Sequence, residues 1–200
     1  MSLLLSTVLC YAIAVRRPLG RAVFSGYSLD KRDPNRQSGP MITMVVSGGQ
    51  TGADQAGWRA AQACDIPTGG WMPFGFLTEE GPQRWFANVY NAREMPTASY
   101  PARTVRNVQE SDGTIWFGTT DTPGAETTLE TCRRLRKPLM LVTPSDVVLA
   151  SDVVEWLRRN PQIKCLNIAG NRESTAPGIG ERVERFLIAV FNRLNERPDS

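Results

Sequence analysis

The chain has 200 residues, 41% hydrophobic and 22% charged, a globular balance at a length that buries a sizeable core. Its net charge of +3 comes from the first forty residues, where Arg16, Arg17, Arg21, Lys31, Arg32 and Arg36 face Asp30 and Asp33; the near-neutral remainder lacks a nucleic-acid binder's footprint. Histidine is absent, which excludes Ser-His-Asp and Cys-His catalysis, imidazole bases and His-ligated zinc.

Residues 1–15, MSLLLSTVLCYAIAV, are apolar and precede Arg16-Arg17-Pro18. The run is shorter than the ~20 residues of a membrane span, and its arginines follow the apolar stretch, the reverse of a secretory signal. Residues 1–29 carry no acid, which leaves an organellar transit peptide open. The polar stretch SLDKRDPNRQSGP then reads as linker or disorder. The expected organisation is an N-terminal extension over 1–40, disordered or a mis-assigned start, and a ligand-binding domain over 41–197. Cys10, Cys64, Cys132 and Cys165 are widely spaced and read as reduced interior thiols, with neither a metal site nor a disulfide framework.

Continuous apolar runs at Met44–Val46, Thr114–Phe117, Leu139–Val142 and Cys165–Ala169 predict strands covered on both faces. Helices are expected over 53–64, 100–110, 125–136 and 146–159. A last helix starts near Pro177-Gly178, with Ile179, Val183, Phe186, Leu187, Val190 and Leu194 on a core stripe. Strands alternating with helices give an α/β fold with a mainly parallel sheet. Residues 66–98, rich in Gly, Pro and Trp, resist assignment.

Ligands of such sheets bind beyond the strands' C-terminal ends, which directs attention to the loops 47–52, 118–128, 143–145 and 170–174. The first, Ser47-Gly48-Gly49-Gln50-Thr51-Gly52-Ala53-Asp54, joins strand to helix. Its amides suit an anion, or else it is a tight turn capped by Asp54. It is neither a dinucleotide fingerprint nor a Walker loop. Gly124 and Thr128 belong to a second strand-to-helix junction, and Asn171 and Arg172 to the loop after the last strand. Arg103, Asn107 and Glu110 share a helix face. That face is either a phosphate clamp through Arg103 or an ordinary surface with ion pairs. Trp71, beside Gly69-Gly70, is a candidate for stacking on a heteroaromatic ring or a core residue.

The ordered set VVSGGQTGADQA, IPTGGWMP, EEGP, Tyr100-x-x-Arg103-Thr104-x-x-Asn107-Val108-x-x-Ser111-Asp112 and LNIAGNRESTAPGI resembles the molybdenum-cofactor carrier family, from Met44 to the last helix. The resemblance implies a Rossmann-like three-layer fold related to lysine decarboxylase-like phosphoribohydrolases. It also implies a homo-oligomeric cytoplasmic protein with no nucleic-acid or membrane partner. The implied ligand is the molybdenum cofactor (molybdopterin), a phosphate-bearing pterin held without turnover. Gly48, Gly49, Gln50, Thr51 and Gly52 would line the pocket with Asp54 and Gly70. Arg103, Thr104, Asn107, Ser111 and Asp112 would support it, and Arg172 would add charge. No metal-ligating residue is expected. Two departures stand out: Phe74-Gly75-Phe76 where the family places basic residues, and Gly124-Ala125 where it tends to Gly-Gly-Thr. The alternative is a phosphoribohydrolase acting on nucleoside 5′-monophosphates, with Glu130 as acid/base.

Overall fold

The structure, a computed structural model, describes residues 41–196; the extension expected over 1–40 lies outside them. Six parallel strands form one sheet in the order β5-β2-β1-β8-β6-β7. They are β1 (Met44–Ser47), β2 (Thr68–Met72), β5 (Ala92–Glu94), β6 (Gly113–Phe117), β7 (Leu139–Val142) and β8 (Cys165–Gly170). A small antiparallel hairpin, β3 (Leu77–Thr78) and β4 (Gly81–Pro82), stands apart from the sheet. The helices are α1 (Ala53–Ala63), the single turn α2 (Phe86–Val89), α3 (Tyr100–Glu110), α4 (Pro123–Leu135), α5 (Ala150–Arg159) and α6 (Ile179–Asn195).

The sheet carries helices on both faces, the Rossmann-like α/β arrangement that the strand-helix alternation predicts. Helix α6 packs on α1 and α5, while α3 packs on α4. Alternation along the strands separates the two faces. Ile115, Phe117, Leu166 and Ile168 join the apolar core with Ala53, Ala56 and Ala60 of α1 and Val183, Leu187, Val190 and Phe191 of α6. Each such large apolar side chain contributes about 1.5–3 kcal/mol by leaving water. The face under α3 and α4 is more polar: Thr114 and Asn167 are buried, and Asn167 Nδ2 donates to Thr114 Oγ1 at 3.2 Å.

Several boundaries differ from expectation. Helix α5 begins at Ala150 rather than 146, because Asp152 receives the Leu149 amide at 2.8 Å and fixes the start there. Helix α4 begins at Pro123, where Thr122 caps the Ala125 amide at 3.2 Å. It ends at Leu135, with Arg136 in the left-handed region at φ 53°.

The stretch 66–98 contains β2, β5 and the hairpin. Gly70 (φ 126°) is required in β2 because a Cβ there would lie 2.1 Å from the Ser47 carbonyl; glycine inside a strand often marks such an approach. A separate apolar cluster of Trp58, Met72, Phe76, Phe86, Tyr90 and Ala92 underlies this region, with Trp58 stacked on Tyr90 at 4.7 Å. No helix among the described residues is long and apolar enough to cross a membrane.

Candidate functional site

Strand β1 turns away at Gly48 while its neighbour β2 continues through Trp71 and Met72. The side chain of Asn107 fills the place a longer β1 would take: its Oδ1 accepts the Trp71 amide at 2.8 Å and its Nδ2 donates to the Trp71 carbonyl at 3.0 Å. This leaves a cleft between α3 and α4, above the C-terminal end of β8, enclosing about 160 Å³. Its walls include Gly48, Gln50 and Asp54 from the first loop and helix, Tyr100, Arg103, Thr104 and Asn107 from α3, Gly124, Thr127 and Thr128 from α4, and Arg172 from the loop after β8. The first turns of α1, α3 and α4 thus converge on it, a favourable field for negative charge.

The floor is a buried ion pair. Arg103 Nη1 donates to Asp54 Oδ2 at 3.0 Å, with side chains only 10% and 5% exposed. Gly48 is dictated by this pair, since a Cβ there would lie 1.2 Å from Arg103 Nη1. Burial pushes the Asp54 carboxyl above its ordinary range, opposed by the Arg103 charge and the Gln50 amide. Beneath this floor two donors, Arg103 Nε and Gln50 Nε2, have no partner among the described residues. Arg172 is exposed and takes part in no salt bridge among the described residues. Its guanidinium lies 5.4 Å from the Tyr100 ring, which the Arg103 guanidinium approaches at 5.9 Å.

The remaining residues predicted for the site lie around the cleft rather than in its walls. Gly49 (φ 73°) faces Met72 and Trp58. Gly52 (φ 77°) lies against the Asn171 carbonyl, which accepts the Ala53 amide at 3.2 Å. The Asn171 side chain packs over Gly118 and donates to Thr119. Gly70 serves the close approach of β2 to Ser47. Thr51 donates its hydroxyl to Glu79 and receives the Glu173 amide at 3.2 Å.

Ser111 and Asp112 are a correction: they sit at the far end of α3, by the N-terminal ends of β6 and β8. Asp112 accepts the Lys164 and Cys165 amides there at 2.9 and 2.7 Å. Trp71 also lies outside the cleft. Its Nε1 donates to Glu110, and the guanidinium groups of Arg93 and Arg106 lie 4.1 and 5.2 Å from its ring. Glu130 is exposed and held by two 2.8 Å bonds from Arg133, away from the cleft walls.

The first loop also differs from an open anion cradle. The Gln50 amide goes to Asp54, the Thr51 amide to Gln50 Oε1 and the Ala53 amide to Asn171. Sequence reasoning missed Trp116 and Asn167, which line the cleft from β6 and β8; a buried Asn inside LNIAG was the available signal. It also missed the function of Glu79, which fastens the hairpin to both Gly-rich loops. Its carboxylate accepts from Thr51 and Ser174, and its amide donates to Gln50 Oε1 at 2.9 Å. Burial raises this carboxyl, but the Ser174 and Thr51 hydrogen bonds outweigh it and hold it below the usual range.

Residues 45–191 match the model of the circularly permutated YpsA SLOG family. A search of curated proteins gives no match. Among solved structures, the chain resembles the 1.45 Å crystal structure of the "Putative molybdenum carrier protein" from Syntrophus aciditrophicus SB. The two are 36% identical with a TM-score of 0.67, over 76% of this chain and 96% of that one. The extent of the family match decides the assignment: this chain belongs to the circularly permutated YpsA SLOG family.

Proposed function

We propose that the protein binds the molybdenum cofactor as a carrier, holding this phosphate-bearing pterin in the cleft between α3 and α4 without turnover. The observation that carries the reading is a cleft met by the first turns of α1, α3 and α4 and lined by Arg172, which is exposed and in no salt bridge among the described residues. Helix N-termini and an arginine without a carboxylate partner favour negative charge, which a phosphate-bearing molecule supplies.

The donor set suits that group. Arg172 and the first turn of α4 would meet the phosphate, while Gln50, Arg103 and Thr104 would meet the ring system. The cofactor's own dithiolene would ligate the metal when bound, so the cleft needs no thiolate. The similarity to a protein named as a molybdenum carrier supports the same reading. The position of Glu130, turned to solvent against Arg133, favours binding over glycosidic hydrolysis.

The test is a thermal-shift series on the full chain with molybdenum cofactor, molybdate, AMP and ribose 5-phosphate. A ligand at about 100 times its Kd stabilises the fold by about 2.7 kcal/mol. Stabilisation by the cofactor, with AMP left unhydrolysed, is the expected result. No response to the cofactor, or release of adenine from AMP, overturns the carrier reading.

A further inference from the structure

We propose that the floor of the cleft reads an exocyclic amino group on the ligand's heterocycle, with Asp54 Oδ1 as the acceptor. The ring then lies over the first loop and the anionic end points out toward Arg172. This rests on the small-molecule reading above and adds to it an orientation and a selectivity.

The argument starts from which polar atoms already have partners. Asp54 Oδ2 takes Arg103 Nη1 at 3.0 Å and the Gln50 amide at 3.3 Å. Oδ1 receives no donor from the described residues, yet Asp54 is 4% exposed and forms part of the cleft wall. Oδ1 keeps accessible surface at the cleft wall, where a donor from a ligand would replace water. Beneath the same floor, Arg103 Nε and Gln50 Nε2 lack acceptors among the described residues, and both side chains are at least nine-tenths buried. The floor therefore offers one accessible acceptor, while the two unpaired donors lie beneath its surface.

A phosphate placed here would meet the Asp54 carboxylate, and the amides of Gln50, Thr51 and Ala53 are already bonded within the protein. Repulsion and desolvation both oppose it. An exocyclic amino group presents the donor that Asp54 Oδ1 lacks, and it is uncharged. The cationic group left for the phosphate is Arg172, at the outer wall beside Tyr100.

The test compares probes that differ in the amino group. Calorimetry on the full chain sets pterin against lumazine, and AMP and GMP against IMP. A site that hydrogen-bonds an amino group rejects the analogue lacking it strongly. Roughly tenfold or greater preference is expected for the amino member of at least one comparison, and Asp54→Asn removes that preference. If Asp54→Asn fails to fold cooperatively, the wild-type ratio decides alone. Equal affinity within every comparison, or binding of none of the five probes, overturns the proposal. Cofactor stabilisation without amino preference removes this inference and leaves the carrier reading standing. Loss of both responses removes both.

Discussion

Helix α3 presents two faces built from the same residue types with opposite outcomes. On the cleft side, Arg103 is buried against Asp54, and the pair leaves Arg103 Nε and Asp54 Oδ1 without partners among the described residues. On the outer side, Arg106 and Glu110 join Arg93 around Trp71. Glu110 accepts Trp71 Nε1 at 2.8 Å and bonds both arginines. The outer cluster is saturated and half in water, with Arg93 and Arg106 side chains 54% and 49% exposed. The comparison separates a structural use of charge from a recognition use. A structural cluster satisfies its own polar atoms, whereas at the cleft floor Asp54 Oδ1 stays accessible without a donor from the described residues.

The largest test of this contrast removes one member of the buried pair. Arg103→Ala strands the Asp54 carboxylate, and breaking a buried pair in this way costs about 3–5 kcal/mol. Urea denaturation should show a lower midpoint with an unchanged slope; a loss under ~1 kcal/mol would mean that water reaches Asp54. Gly48→Ala attacks the same pair by sterics, because its Cβ would occupy the position of Arg103 Nη1. Forcing the guanidinium aside is expected to cost about 1–3 kcal/mol and to abolish the cofactor-induced thermal shift. Retention of that shift at full amplitude would show that Arg103 does not hold ligand. Asp112→Ala, at the far end of α3, removes the acceptor for two backbone amides and is expected to cost about 1–3 kcal/mol. Because Asp112 belongs to the frame, ligand-induced stabilisation should survive in this variant, measured by the same thermal series.

These tests also mark where sequence reasoning reaches its limit. Strands β1, β6, β7 and β8 were legible because each is a short, predominantly apolar stretch without charge. Strand β2, TGGWM, was not. Its Gly70 answers to the close passage of Ser47, a contact that no periodicity records. The rule placing ligands at strand C-termini found the right edge of the sheet, and helical spacing put Arg103 and Asn107 toward the cleft. The same spacing included Glu110, which turns outward to Trp71. Motif adjacency brought in Ser111 and Asp112, which one further turn of helix carries to the N-terminal ends of β6 and β8. A sequence shows which residues are polar and buried; which of their atoms remain unpaired depends on neighbours far along the chain, as with Asp54 and Arg103.

The smallest effect separates the two faces by pH. For Glu110, burial pushes the carboxyl up, but hydrogen bonds from Trp71 and Arg93 outweigh it, and its value falls below the ordinary 4.5. The stability it contributes is present above about pH 4.5 and is lost as pH falls through its lowered folded-state value. For Asp54, burial wins and the value rises above 3.8. Its contribution is therefore fully present below about pH 3.8 and is lost as pH rises through the raised value. Glu110→Gln should cost no more than ~1 kcal/mol near neutrality, given the exposed arginines, and its difference from wild type should shrink on acidification. Asp54→Asn is expected to behave oppositely, comparing less favourably with wild type as the pH falls. Unfolding free energies across the acid range check both slopes. Parallel pH profiles for the two variants would mean that the floor of the cleft is as hydrated as the outer cluster, and would remove the electrostatic basis for treating the two faces of α3 as different.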